Sequence, residues 1–190
     1  VPKPGVQERI LLHLRDYVDH AEKVEAPFAL SQMGIANAVS IARSNVPRAI
    51  SGLRDQGYLL EKQAHVTGVS RKRKAYFLTD EGAKLADDIW SKVGKQSVRV
   101  IGKDGRASNM ELAEALENTD LPLRHVDVIR YLDDSGTIDL SILSADLIER
   151  DLSKHIEKQL VTSLSDLPRT RRFYGRELEL ENMVNLLEHQ

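Results

Sequence analysis

Two short helical patterns stand back to back in "LSQMGIANAVSIARSNVPRAISGLRDQGYL", residues 30–59. In the first, Ser31 is a candidate N-cap, and Ile35, Ala36 and Val39 share one face. In the second, a turn of about 100° per residue brings Val46, Ala49, Ile50 and Leu53 to one side. Pro47 fits a helix only in its first turn, whose N–H groups have no intrahelical partner. This helix is therefore predicted to start near Arg43 or Ser44. Gly57 supplies a left-handed stop. So little chain separates the two that they must cross rather than run on, as in a helix-turn-helix.

The second helix turns a different face outward. Ser44, Arg48 and Ser51 oppose the apolar side, with Arg43, Asn45, Pro47 and Gly52 on the flanks. The net charge of −2 hides a split behind this face. Residues 1–95 hold 15 Lys+Arg and 11 Asp+Glu, whereas residues 96–190 hold 12 and 18. Between 38 and 78, Arg43, Arg48, Arg54, Lys62, Arg71, Lys72, Arg73 and Lys74 meet only Asp55 and Glu61. A local basic surface on a nearly neutral chain signals an anionic partner.

The flanks complete a unit. Gly5 to about His20 carries Ile10, Leu11, Leu14, Tyr17 and Val18 at helical spacing, with Pro4 at a position a helix start tolerates. Tyr58–Ala64 and Ala75–Leu78 are strand-like, with Gly68 in the loop and Arg71 to Lys74 running into the second strand. Thr79 caps a closing helix, Asp80 and Glu81 sit in its first turn, and Leu85, Ile89 and Trp90 form its apolar face.

Three helices, a hairpin and a closing helix resemble the winged helix-turn-helix. The strings "GIANAVSIARSNVPRAISGLRDQGYL" and "YFLTDEGAKLA" resemble those of multiple-antibiotic-resistance-type and similar archaeal regulators, over residues 1–95. The resemblance implies sequence-specific binding of double-stranded DNA as a transcription regulator, with the third helix in the major groove. Arg43, Ser44, Asn45, Pro47, Arg48 and Ser51 are then the groove residues. Arg48 is placed to read guanine and Asn45 adenine. Arg71, Lys72, Arg73 and Lys74 would lie on the phosphates. A basic run alone usually marks no more than a solvated loop. The alternative is a winged-helix adaptor that docks a protein and regulates an attached ATPase module; some winged helices of that kind carry acidic or apolar third helices, and this one is neither.

The expected fold class is mainly α (α+β): a winged helix-turn-helix at 1–95, a small α/β companion region at 96–143 and long C-terminal helices at 144–190. In the companion region, Val98–Ile101 reads as a strand and "KDGR" as a turn. Met110–Leu116 reads as a helix capped by Ser108 or Asn109, Leu123–Leu132 as another, and "TIDLSIL" as a strand. "ELAEAL…DVIRYLDDSGTIDL" faintly echoes a second helix-turn-helix, but the long "ENTDLPLRH" insertion and Asp127, Asp133 and Asp134 favour packing or partner contact. Ser144–Leu167 reads as one helix with Ile148, Leu152, Ile156, Leu160 and Leu164 in a stripe. Regulators of the resembled type pair through long helices outside the wing, which implies a homodimer.

"RRFYGRELELENMVNLL" resembles the F-x-G-R-E-x-E-L segment opening the nucleotide-binding module of signal-transduction ATPases with numerous domains. Phe173, Tyr174, Gly175, Arg176, Glu177, Glu179 and Leu180 carry the match. The plain alternative is a basic linker into an amphipathic helix. No phosphate-binding G-x-x-x-x-G-K-[ST] loop occurs in the chain, so ATP is implied as a partner only through a module C-terminal to it. Val1 at the start and an apolar-periodic end without a glycine stop suggest a fragment.

Several classes fall away. The absence of cysteine excludes disulfides, thiolate metal sites and cysteine nucleophiles. No apolar run reaches the roughly 18 residues of a membrane span, and a cytoplasmic location is expected. The histidines show no metal-ligand spacing and no serine lies in a G-x-S-x-G elbow, so no enzyme, cofactor or metal is expected.

Overall fold

A helix buried on nearly every side organises the N-terminal half. Helix α1 (Val6–Arg15) buries Ile10, Leu11, Leu12, His13 and Leu14 in succession. It packs against both helices of the helix-turn-helix, α2 (Gln32–Val39) and α3 (Val46–Asp55), and against the closing helix α4 (Asp80–Val93). Each fully buried Leu or Ile contributes about 1.5–3 kcal/mol relative to exposure. The computed structural model describes residues 3–21, 25–67, 72–119, 123–147 and 149.

The two helices of the motif end and start as their sequences dictate. Ser31 Oγ accepts the Gly34 N–H at 3.1 Å and so caps α2, while Ile35, Ala36 and Val39 are buried. A Cβ on Gly34 would lie 2.2 Å from the Phe28 carbonyl oxygen, so only glycine lets the preceding turn close this tightly. After Ser40, the chain makes a 3-10 turn over Arg43–Asn45 and enters α3 at Val46, with Pro47 in its first turn. The helix proper thus begins a few residues after the predicted start. Val46, Ile50 and Leu53 are buried as phased, and Gly57 takes φ 80°.

Two strands of three share their edges with the motif. Strand β1 (Glu25–Ala26) pairs in parallel with β2 (Leu59–Val66), and β2 pairs antiparallel with β3 (Arg73–Leu78), Leu59 opposite Leu78 and Ala64 opposite Arg73. Both hairpin strands run past their predicted ends, β2 through His65 and Val66, which pair with β1, and β3 through Arg73 and Lys74, which pair with Ala64 and Gln63. Thr79 Oγ1 accepts the Gly82 N–H at 3.0 Å and caps α4. The buried stripe of α4 is Gly82, Ala86, Ile89 and Val93, with Leu85 and Trp90 only half-buried.

The first predicted helix is shorter than its periodicity suggested. It ends at Arg15, and a 3-10 turn spans Val18–His20, leaving Val18 46% exposed. The residues that leave the helix are claimed elsewhere. Asp16 Oδ1 accepts from His125 Nδ1, and Tyr17 Oη accepts from an Arg124 N–H at 2.7 Å.

Beyond α4, β4 (Ser97–Ile101) is the centre of a second sheet. It pairs antiparallel with β5 (Ala107–Glu111) and in parallel with β6 (Thr137–Asp139). Helices α5 (Leu112–Glu117) and α6 (His125–Tyr131) lie between β5 and β6 in sequence. Here two predictions fail. Residues 107–111 are a strand, so neither Ser108 nor Asn109 caps a helix; Gly105, at φ 76°, closes a hairpin whose pairing outweighs a weak local preference. "TIDLSIL" is a strand only to Asp139, whose Oδ1 accepts the Ser141 N–H at 2.8 Å and starts a helix at 140. The Ser141 N–H hydrogen bond also holds the Asp139 carboxyl below its ordinary pKa.

The architecture is α+β, a winged helix-turn-helix followed by a small mixed sheet and helices. Of the long helix expected over 144–167, 144–147 are helical; nearly all of its remainder, and the string at 173–180, lie outside the described residues.

Candidate nucleic-acid interface

The outward face of α3 is built from its first turns. Arg43, Ser44, Asn45, Pro47 and Arg48 are all exposed, while Val46 between them is fully buried and anchors the turn. Asn45 stands at the N-cap position, but its side chain makes no cap hydrogen bond, so the carboxamide is available to a partner. Ser51 is half-buried, and its hydroxyl donates to Asp55 at 3.3 Å. Among the predicted groove residues it is the one already engaged within its own helix.

Position within the turn follows from backbone bonds reaching in from α1. The Arg9 guanidinium donates to the Val39 carbonyl at 2.8 Å, and Gln7 Nε2 donates to the Ala49 carbonyl at 3.4 Å. The Arg9 bond is charge-assisted and the stronger of the two, the Gln7 bond neutral and longer. The end of α2 and the middle of α3 are thus referenced to one helix.

The wing contributes unevenly. Lys72 and Arg73 are exposed, and Arg71 lies outside the described residues. Lys74 Nζ sits 2.8 Å from Glu61, which also lies 3.5 Å from Arg54. The Lys74 hydrogen bond holds the Glu61 carboxyl below its ordinary pKa, and the same bond raises that of Lys74. Sequence reasoning counted Lys74 among the phosphate contacts and overlooked this clamp. Glu61 and Lys74 fall on one face of neighbouring strands, diagonal to the Glu61–Tyr76 pair, a register set by the hairpin's pairing rather than by the sequence of either strand. Among the described residues, no ion pair involves Arg43, Arg48, Lys72 or Arg73.

Between the start of α2 and the root of the wing lies a cleft of about 390 Å³. Phe28, Met33 and Val66 give it an apolar wall, and Arg43, Arg73 and Lys74 its charge. Met33 is phased away from Ile35, Ala36 and Val39, so the helical period alone marks it as outward-facing; the sequence shows nothing that joins it to the wing.

No group of three or more potential ligands among the described residues is arranged to hold a metal ion, and no helix among them is long and apolar enough to cross a membrane.

No protein-family model matches the chain, and no curated protein does. Some solved structures are similar. One is the zinc-responsive MarR family member ZitR from Lactococcus lactis, at 22% identity over 48% of this chain and 54% of that one, with a TM-score of 0.36. The chain therefore spans about half the ZitR length. Another is a DNA-binding protein, itself so assigned only putatively, from Ralstonia eutropha JMP134, at 26% identity over 45% and 94%, TM-score 0.33. MepR, a transcription regulator of the Staphylococcus aureus multidrug efflux pump MepA, matches at 15% identity over 83% and 80%, TM-score 0.35. Superpositions this loose carry no functional weight.

Proposed function

We propose that this chain binds double-stranded DNA as a sequence-specific transcription regulator, α3 lying in the major groove and the wing on the phosphate backbone. The observation that carries this is the start of α3: two exposed arginines without ion pairs among the described residues, an asparagine whose side chain makes no cap hydrogen bond, and no carboxylate among residues 40–54. Such a face would meet phosphates and base edges without repulsion. Arg48 and Asn45 are assigned to bases, Arg43 and Ser44 to the groove margin, and Arg71, Lys72 and Arg73 to phosphates. Ser51 and Lys74 take secondary parts, since each already has an internal partner. Residues 1–95 are the DNA-binding domain and 96–143 its companion. A homodimer, and ATP bound through a module C-terminal to this chain, complete the proposal.

The test is fluorescence anisotropy with random duplex DNA at several salt concentrations. A variant with Arg71, Lys72 and Arg73 changed to Gln is run alongside. Each phosphate contact removed should lower the slope of log affinity against log salt by about 0.9. No binding by the unaltered chain at low salt would exclude DNA and favour the adaptor.

A further inference from the structure

We infer that the cleft at the root of the wing seats one sugar-phosphate strand of the duplex, with Phe28 and Met33 as its non-ionic wall. This rests on the DNA proposal above and names two contacts that basic residues alone do not supply.

Phe28 and Met33 are 42% and 39% exposed, on either side of the Ser31 cap. Their positions are fixed by backbone rather than by burial of their own side chains. Ser31 Oγ donates to the Phe28 carbonyl at 2.7 Å while accepting from Gly34, and Ser31 bridges to Ala75 of β3. The turn bearing Phe28 is therefore tied to both α2 and the wing, and Phe28 lines the cleft.

Geometry and charge select the occupant. A helix in the major groove and a wing against the adjoining backbone stand on opposite sides of one strand, so that strand must pass between Arg43 and Arg73. Both line the cleft, and among the described residues no carboxylate does. Lys74 lines it too but is shared with Glu61, so Arg43 and Arg73 supply most of the charge. A phosphate needs cations, whereas the deoxyribose beside it offers apolar C–H edges. The cleft supplies both along one wall.

The experiment uses the full 190-residue chain. Affinity for duplex DNA is measured across salt concentrations for Phe28→Ala, Met33→Ala and Phe28→Leu. Loss of a partly buried apolar contact predicts affinity about fivefold weaker for Phe28→Ala on every sequence, with an unchanged salt slope. Phe28→Leu should retain most of the affinity, and Arg73→Gln should instead reduce the slope. If Phe28→Ala also lowers the melting temperature, Met33→Ala decides the question. Normal binding by the alanine variants overturns this inference alone. Absence of duplex binding by the unaltered chain overturns it together with the DNA proposal. Weaker binding to one sequence only would also overturn it, since a backbone seat reads no bases.

Discussion

The two ends of α3 handle charge in opposite ways. At the C-terminal end, Arg54 lies 3.5 Å from Glu61 and 4.0 Å from Asp55, and Lys74 reaches the same Glu61 from the wing. At the N-terminal end, Arg43 and Arg48 project into solvent with no ion pair among the described residues. One end spends its charge on tying helix to hairpin. The other leaves its charge unpaired among the described residues. Charge count within 38–78 therefore overstates the interface, and it is the internal pairing that divides it.

The strongest test of that contrast pits Arg48 against Arg54. Arg48→Ala should cost about 1–3 kcal/mol on a preferred duplex and relax discrimination at one base pair. Arg54→Ala should leave affinity within about twofold, because an exposed arginine already paired contributes little either way. Anisotropy titrations over a panel of single-base duplex variants measure both. Equal losses from the two would erase the distinction between the ends.

A second effect, on stability rather than binding, separates the core from this surface. His13 is fully buried in α1 and donates from Nε2 to the Ala29 carbonyl at 2.9 Å. Burial lowers its pKa below 6.5, so the folded chain holds the neutral ring. As pH falls through the unfolded histidine value, the unfolded state takes the proton first. Stability should then drop by up to about 1.4 kcal/mol per pH unit. Urea midpoints at pH 7.5 and pH 5.5 should differ more in the native chain than in His13→Leu. An undiminished difference in the variant would place the titration elsewhere.

Local signals made the helix-turn-helix legible because each agreed with the tertiary structure. Ser31 and Thr79 cap where they were predicted to, Gly57 stops α3, and the phased Val46, Ile50 and Leu53 are all in the core. The companion region was less legible because its structure depends on distant partners. "ASNME" has no β-branched residue and becomes a strand only through pairing with β4. Asp16 and Tyr17 fall within the predicted first helix, but their side chains bond to His125 and Arg124 at the start of α6, far along the chain. At the interface, exposure of the groove residues followed from helical phase. The Glu61 clamp and the Phe28–Met33 wall did not, since each joins elements whose separation a periodicity cannot span.

The smallest expected effect bears most directly on the contrast. The Glu61 carboxyl titrates below its ordinary range, so its part of the clamp stands above the unfolded carboxylate pKa and is lost as pH falls through the lowered folded value. The Lys74 ammonium is raised, so its part stands below the unfolded lysine pKa and is lost as pH rises through the raised folded value. Across neutral pH the clamp is intact, and Lys74 is muted towards phosphate. Glu61→Gln removes the carboxylate's charge while keeping its shape, which should return Lys74 to the basic surface while Arg54 keeps Asp55. Affinity for random duplex should then rise by about twofold to fivefold at low salt, with the salt slope steeper by up to about 0.9. The gain should vanish at high salt, where released counterions no longer favour binding. A Lys74→Gln change in the same background should cancel it. If Glu61→Gln leaves the slope unaltered, Lys74 does not face the duplex, and the division of α3 into a spent end and an available end would stop at Arg54.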